Sequence, residues 1–562
     1  MKTPIAPWLR LAVLSAVVVG LHGVGAPGFA AEADAPLIVH PTSLLRGPAS
    51  APSAVVEVRL GRPLRGSEII RVRPAGEDRD LFAGRPAVNA PGEAVRVAVP
   101  MSPRVEDTEI LVAVVLDTGE RIFEQRVRVD RPESGWTVHF IPGFHYDPVW
   151  WNTQAHYTET GYRLGSEVGP GLTLVEEYLR KLREDEDYKV ALHQLPYLKS
   201  FVEARPTQVE ELLARVREKR VSIVGGTYNE LSTTLISAEA TARNAIYGTL
   251  FQTETLGGDG RVFWQCDVFG HDPSFPGIMR ATGHTAGAFA RGPFHQWGAP
   301  RDQVNFPSEF LWMSPDGSLI LTHYMTGHYG YAYAPLAVGG NTASLDPARW
   351  EETVIRMFED LKRPALTHHV MLPMHMDFIR PLENLGDVVR WWNDNYLSPK
   401  AVISTPEAYF AAVRGEIGRR DLVVPVITRD MNPIYTGCQV SFADLKTANR
   451  ACESRLYEAE LLATLATLEG APYPALGLDR AWRQLMFGAH HDGITGSMSD
   501  QVYVDMLYAY RDALDIATKI REGALAYLMS RVTPGERDGE TCAWNVTGTT
   551  RSGVTSAFTG SS

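Results

Sequence analysis

From about Pro36 to Asp130 apolar and polar positions alternate with a period of two. The stretches "SAVVEVRLG", "EAVRVAVPM" and "EILVAVVLDTGERIFEQRVRVD" run in and out, broken by Gly, Pro and an Asp-Thr-Gly turn. Such alternation marks half-buried strands and predicts an all-β sandwich over residues 36–132, with "RPESGW" as a linker. From Thr137 the rhythm changes. Short apolar runs ("TVHFIPG", "YKVALHQL", "VSIVGG", "RVFWQCDVFG") alternate with stretches of helical period such as "GLTLVEEYLRKLRED", "TQVEELLARVREK" and "AEATARNAIYGTLFQTETLG". A βαβα rhythm predicts an α/β unit over residues 136–400, a parallel sheet covered by helices and closed or nearly so. Three amphipathic stretches within residues 401–535 then predict a small antiparallel helical bundle. Residues 540–562 return to a β-like composition.

The first 33 residues stand outside this pattern. Lys2 and Arg10 precede an apolar run from Leu11 to Leu21, and small residues follow at Ala30, Ala31 and Ala33. That layout predicts a cleaved secretory signal and an exported protein, periplasmic or extracellular; the run is too short for a membrane span. The remaining 529 or so residues have an ordinary globular composition, with 44% hydrophobic and 21% charged residues over the chain. A formal net charge of −12 argues against a nucleic-acid partner. The four Cys are too few and too scattered for a disulfide framework, although export permits a bridge such as Cys438 to Cys452. None has zinc-finger spacing, so a metal here would rely on His and carboxylates.

Four stretches supply such groups: "FHYDPVWW" with His145 and Asp147, "QCDVFGHDPSFP" with Asp267, His271 and Asp272, "PMHMDFIRP" with His375 and Asp377, and "GAHHDGITGS" with His490, His491 and Asp492. Each has an ordinary reading alone: a lone strand His is commonly a core residue, and Asp before Pro or Gly is commonly a turn. Together they gain weight. Residues i and i+2 of an extended chain share a face, so His145 and Asp147 can grip one ion. The strands carrying "FHYD", "NE" and "QCDVFGH" all present polar groups at their carboxyl ends, where α/β folds place their chemistry.

These four stretches, in this order, resemble the class II α-mannosidases of glycoside hydrolase family 38, over roughly residues 137 to 531. "HYDPVW", "DVFGH", "DF" and "HHDGITGS" match the family's pattern, the second and fourth with high specificity. The resemblance implies a (β/α)7-type barrel followed by a helical bundle, and a retaining α-mannosidase. It implies that His145, Asp147, Asp267 and His491 hold one Zn2+, with Asp267 also the nucleophile. Trp150 and Phe269 match aromatics that pack on the sugar, Asp492 a carboxylate that binds sugar hydroxyls, and Arg291 the residue that fixes the nucleophile. Asp377 matches the general acid/base, and Tyr329 or Tyr331 a tyrosine of the pocket. The implied substrate is a glycan ending in α-mannose. There are departures: Gly143 replaces a common His, Val268 a common Pro, and His375-Met376 a Gly-Asp, a swap expected to alter the pocket floor.

Retaining hydrolysis needs one carboxylate to attack carbon one and one carboxylic acid to protonate the leaving oxygen. A dication and Arg291 would keep Asp267 ionised, while a drier Asp377 would keep its proton. Two His and two Asp favour zinc, with cobalt or manganese as alternatives. Two rival readings are a zinc-dependent polysaccharide deacetylase and a non-catalytic carbohydrate-binding protein using the β-sandwich. The first calls for an Asp-Asp pair before a His, which is absent here; the second leaves the intact Asp267 without a purpose.

Overall fold

The computed structural model describes residues 36–101, 107–160, 169–292, 306–337, 347–432 and 435–531. The expected signal segment and the C-terminal β stretch lie outside the described residues. Two four-stranded antiparallel sheets form first. Leu37–Arg46, Ser53–Leu60 and Ala94–Pro100 make three strands of one; Phe82–Gly84, Ile69–Pro74, Asp107–Val115 and Arg121–Asp130 make the other. Alternate side chains such as Val56, Val58, Ile70, Val72, Val112 and Val114 fill a shared core, as the period of two requires. The fourth strand of the first sheet was not legible beforehand. It is Tyr396–Ser398, which pairs antiparallel with Leu37–Arg46. Arg46 and Arg96 add ion pairs to Glu351 at 3.5 and 3.7 Å, and the Ser43 backbone N–H donates to Glu359 at 2.8 Å. The N-terminal sheets are thus stitched into the α/β part rather than hung from a linker.

In the α/β part Thr137–Pro142 lies between His369–Met374 and Lys400–Ile403, parallel to both. Val190–Leu192 runs parallel to Val221–Ile223, and Val262–Gln265, Ala286–Phe289 and Leu319–Tyr324 form a further parallel set. Single parallel bridges, Gly143 to Ala191 and Gly225 to Phe263, join the three groups. These strands are buried on both faces, which explains why they read as short apolar runs without alternation. Glu309–Met313 enters antiparallel to Leu319–Tyr324.

The helices Ala443–Leu468, Ala475–Gly488 and Asp500–Arg531 pack around Leu445, Leu456, Leu478, Trp482, Leu485, Met506 and Tyr510. Full burial of a side chain such as Leu485 stabilises by about 2 kcal/mol. Val149, two residues past Asp147, belongs to this same core and so fixes the loop against the bundle. The suggested Cys438–Cys452 bridge is absent: both thiols are free, and the Cys452 thiol donates to the Tyr510 carbonyl at 3.1 Å. Among the described residues no helix is long and apolar enough to cross a membrane.

Candidate active site

The polar groups at the carboxyl ends of the parallel strands converge. The strand Thr137–Pro142 continues as an extended tail, where His145 bridges Asp377 and exchanges backbone hydrogen bonds with Met376 and Phe378. On this tail His145 Nε2 lies 2.7 Å from Asp147 Oδ1. His491 begins the short helix His491–Ile494, and its Nε2 lies 3.2 Å from Asp147 Oδ1 and 3.6 Å from Asp267 Oδ2. Asp267, two residues past the strand Val262–Gln265, accepts a hydrogen bond from Arg291 Nε. The ligand atoms of His145, Asp267 and His491 all lie within 4.8 Å of one another, and so do those of His145, Asp147 and Asp377.

The proton positions on His491 speak to what belongs between these groups. Its Nδ1 is 3.3 Å from the Glu230 carbonyl and donates there, which leaves Nε2 to face the site. Nε2 points at carboxylate oxygens of Asp147, Asp267 and Asp492. Those oxygens call for positive charge at Nε2, supplied by a second ring proton, which the raised pKa of His491 favours, or by a cation bound in its place. The wider balance points the same way: Asp147, Glu230, Asp267, Asp377 and Asp492 crowd together with Arg291. The donor set of two imidazoles and two carboxylates therefore fits a borderline dication such as zinc.

The same crowding tunes the titrating groups. Burial opposes charge on His145, but Asp147 and Glu230 outweigh it and raise its pKa to about 10. His491 is likewise driven well above the usual histidine range against burial, by Asp492, Asp147 and Asp267. Burial alone would raise Asp267, yet Arg291 and His491 hold it well below the carboxylate range. Asp377 goes the other way. Burial lifts it to about 6, with Asp147 and Asp267 adding to the rise and His145 opposing it.

Tyr329 and Tyr331 separate cleanly. Tyr329 is buried, lies tilted against His145 with ring centroids 5.2 Å apart, and donates its hydroxyl to Asp377 Oδ1 at 3.0 Å; Tyr331 donates to Asp360 instead. The Phe269 ring sits 5.2 Å from His491 and 5.2 Å below the Arg291 guanidinium. Asp492 accepts from the Ser497 hydroxyl at 2.6 Å. Trp150 is half-buried, stacked 4.5 Å from Trp151.

Three of the residues singled out in the sequence stay away from this centre. His271 is packed among Phe275, Phe289 and Trp312, and Asp272 accepts the Ser274 N–H in a turn. His375 is fully buried beneath the tail, against His193 and Trp264. A Cβ on Gly143 would lie 2.2 Å from His375 Nε2 and 2.4 Å from the Ala191 carbonyl. The Gly143 and His375 departures thus answer each other behind His145, and His375 does not line a pocket floor as expected.

Two further residues escaped the sequence reading. Tyr435 accepts a hydrogen bond from Arg291 Nη1 at 2.7 Å. Glu230, the acid of "NE", lies at the centre of the cluster; only its position past a strand end marked it beforehand.

Known proteins resemble this chain in sequence and fold. Residues 135–437 match the model described as the glycosyl hydrolases family 38 N-terminal domain, and residues 433–528 the alpha mannosidase middle domain. The chain is 26% identical over 407 residues to alpha-mannosidase 2C1 of Mus musculus, covering 70% of this chain and 35% of the relative. It is 23% identical over 423 residues to an alpha-mannosidase of Saccharomyces cerevisiae, covering 73% and 36%. The crystal structure of an alpha-mannosidase from Enterococcus faecalis V583 superposes with a TM-score of 0.59 at 21% identity, over 70% of this chain and 43% of that one. The chain spans little more than a third of the length of the two curated relatives.

Proposed function

This chain belongs to glycosyl hydrolase family 38, and on that footing we propose that it is an exported, metal-dependent retaining α-mannosidase with Asp267 as nucleophile. The observation that carries the reading is the meeting of His145, Asp147, Asp267 and His491 around a point that calls for a cation. We read the parallel strands as a (β/α)7-type barrel and the N-terminal sheets as a sandwich. The residues proposed to hold zinc are those four. Bound there, zinc would supply a Lewis-acid contact for vicinal sugar hydroxyls, which in mannose lie cis at carbons two and three.

The chain's own groups would divide the remaining work. Arg291, buried beside Asp267, keeps the nucleophile ionised and fixes one of its oxygens, leaving the other to attack carbon one. Asp377 holds its proton at mildly acidic pH and gives it to the departing glycosidic oxygen. After the aglycone leaves, the same carboxylate takes a proton from water, which releases mannose from the Asp267 ester with net retention. Tyr329 holds the Asp377 carboxyl in place through its hydroxyl. Phe269 and Trp150 offer apolar surface to the sugar ring, and Asp492 an acceptor for its hydroxyls.

The rivals have less support. Residues 36–130 contain no Trp or Tyr, so the N-terminal sheets lack the flat aromatic surface on which a sugar-binding module relies. A deacetylase of this kind is expected to carry an Asp-Asp pair before a His, which this sequence lacks. Incubating purified protein with an aryl α-mannoside, with and without chelator, decides among them. Aryl release that is lost on chelation and in Asp267→Asn supports the mannosidase; acetate release from chitin fragments, or binding without either product, overturns it.

A further inference from the structure

Glu230 is 2% exposed and touches three of the four residues proposed to hold the metal. One carboxylate oxygen accepts the Cys266 N–H at 2.8 Å, and the other accepts the Asp267 N–H at 2.9 Å. The first of these oxygens lies 3.3 Å from His193 Nε2 and 3.8 Å from His145 Nδ1; the second lies 3.7 Å from His491 Nδ1. Its backbone carbonyl accepts the His491 N–H at 2.9 Å and faces His491 Nδ1. One side chain therefore reaches behind both imidazoles and under the nucleophile, from a strand end that contributes no ligand itself.

Resting on the mannosidase reading of this site, we propose that Glu230 is a positioning residue that aligns the proposed ligands His145 and His491 and the nucleophile Asp267 as one unit. Three features make the case. Its carboxylate faces the outer nitrogens of the two histidines from 3.8 and 3.7 Å, and its carbonyl meets His491 Nδ1 directly, so its charge favours protons on Nδ1 and turns Nε2 toward the cation. Its two oxygens clamp consecutive N–H groups at 266 and 267, which sets the height of the Asp267 side chain above the strand. Finally, Gln194 Oε1 accepts the Glu230 N–H at 3.0 Å, so the clamp is itself fixed.

A second metal among His145, His193, Glu230 and Cys266 is the competing use of these atoms, since their ligand atoms also lie close together. One fact weighs against it: burial holds the Cys266 thiol well above its usual pKa, as a poor ligand.

Glu230→Gln tests the proposal. Its amide must turn an NH2 against one of the two backbone N–H groups, so the clamp opens while the size is kept. Zinc affinity by competition with a chromophoric chelator should fall 10- to 100-fold. At saturating zinc, kcat on an aryl α-mannoside should fall at least tenfold, with KM changed less than threefold. A merely structural Glu230 would lower the melting temperature of the zinc-free protein but leave zinc affinity and kcat intact, and that result overturns the proposal. Should Glu230→Gln fail to fold, Glu230→Asp keeps the charge but shortens the reach, and the same losses in zinc affinity and kcat are expected. Binding of two tight zinc equivalents, or a thiolate-to-cobalt absorption in the cobalt-loaded protein, also overturns it. The zinc titration reads out even if wild-type protein releases no aryl group, so the two readings fail separately.

Discussion

The Asp377 carboxyl is held against its nature, and replacing it should reveal the cost. An unfolded Asp titrates near ~3.9, whereas burial lifts Asp377 to about 6. At about 1.4 kcal/mol per pH unit that difference comes to about 3 kcal/mol, and water on its partly open side trims the figure to about 1–3 kcal/mol. The penalty has a definite pH window. Below pH ~4 the carboxyl is neutral in folded and unfolded chains and costs nothing. Between pH ~4 and ~6 the unfolded chain ionises first, so stability drains away; above pH ~6 the loss levels off. Asp377→Asn keeps the shape and still accepts from Tyr329, without the charge. In zinc-free protein it should therefore be the more stable form at neutral pH and equal to wild type near pH ~4, with added zinc narrowing the gap. Urea titrations of chelator-treated protein at the two pH values measure it. The same variant should lose most kcat on poor leaving groups and far less on activated aryl mannosides. An Asp377→Asn protein less stable than wild type at neutral pH, or shifted equally at both, would refute the reasoning.

Three other outcomes follow from the same geometry. Arg291→Met removes the cation beside Asp267, so the nucleophile should stay protonated to higher pH. The acid limb of kcat/KM should then climb by about 1–2 pH units in a rate profile, with kcat/KM falling throughout. Tyr329→Phe removes a donor that favours the Asp377 carboxylate, so the basic limb of the profile should move upward, whereas Tyr331→Phe, bonded to Asp360, should leave it in place. Chelation should abolish aryl release and lower the melting temperature, and zinc at about 1,000 times its Kd should restore about 4 kcal/mol.

How much of this was legible in the chain depends on the range of the interactions. The strands around Val56 and Val112, and helices such as Ala443–Leu468, announce themselves through local periodicity, and the family resemblance brought His145, Asp147, Asp267 and His491 together on the page. What stayed hidden was non-local. Tyr396–Ser398 is three residues long, carries no period, and becomes a strand only because Leu37–Arg46 lies beside it. The Gly143 and His375 exchange looked like a change in the pocket, because nothing in sequence shows that residues 232 apart compete for one volume behind His145. Glu230 stayed unassigned for the same reason, since its partners at 145, 193, 267 and 491 come from separate strands and a helix.

Anomalous diffraction at the zinc edge, on crystals of the zinc-loaded protein, asks the decisive question. One strong peak should lie at about 2.0–2.3 Å from His145 Nε2, His491 Nε2 and an oxygen of each of Asp147 and Asp267. No peak there, or a zinc held by other side chains with these four turned from it, would contradict the account.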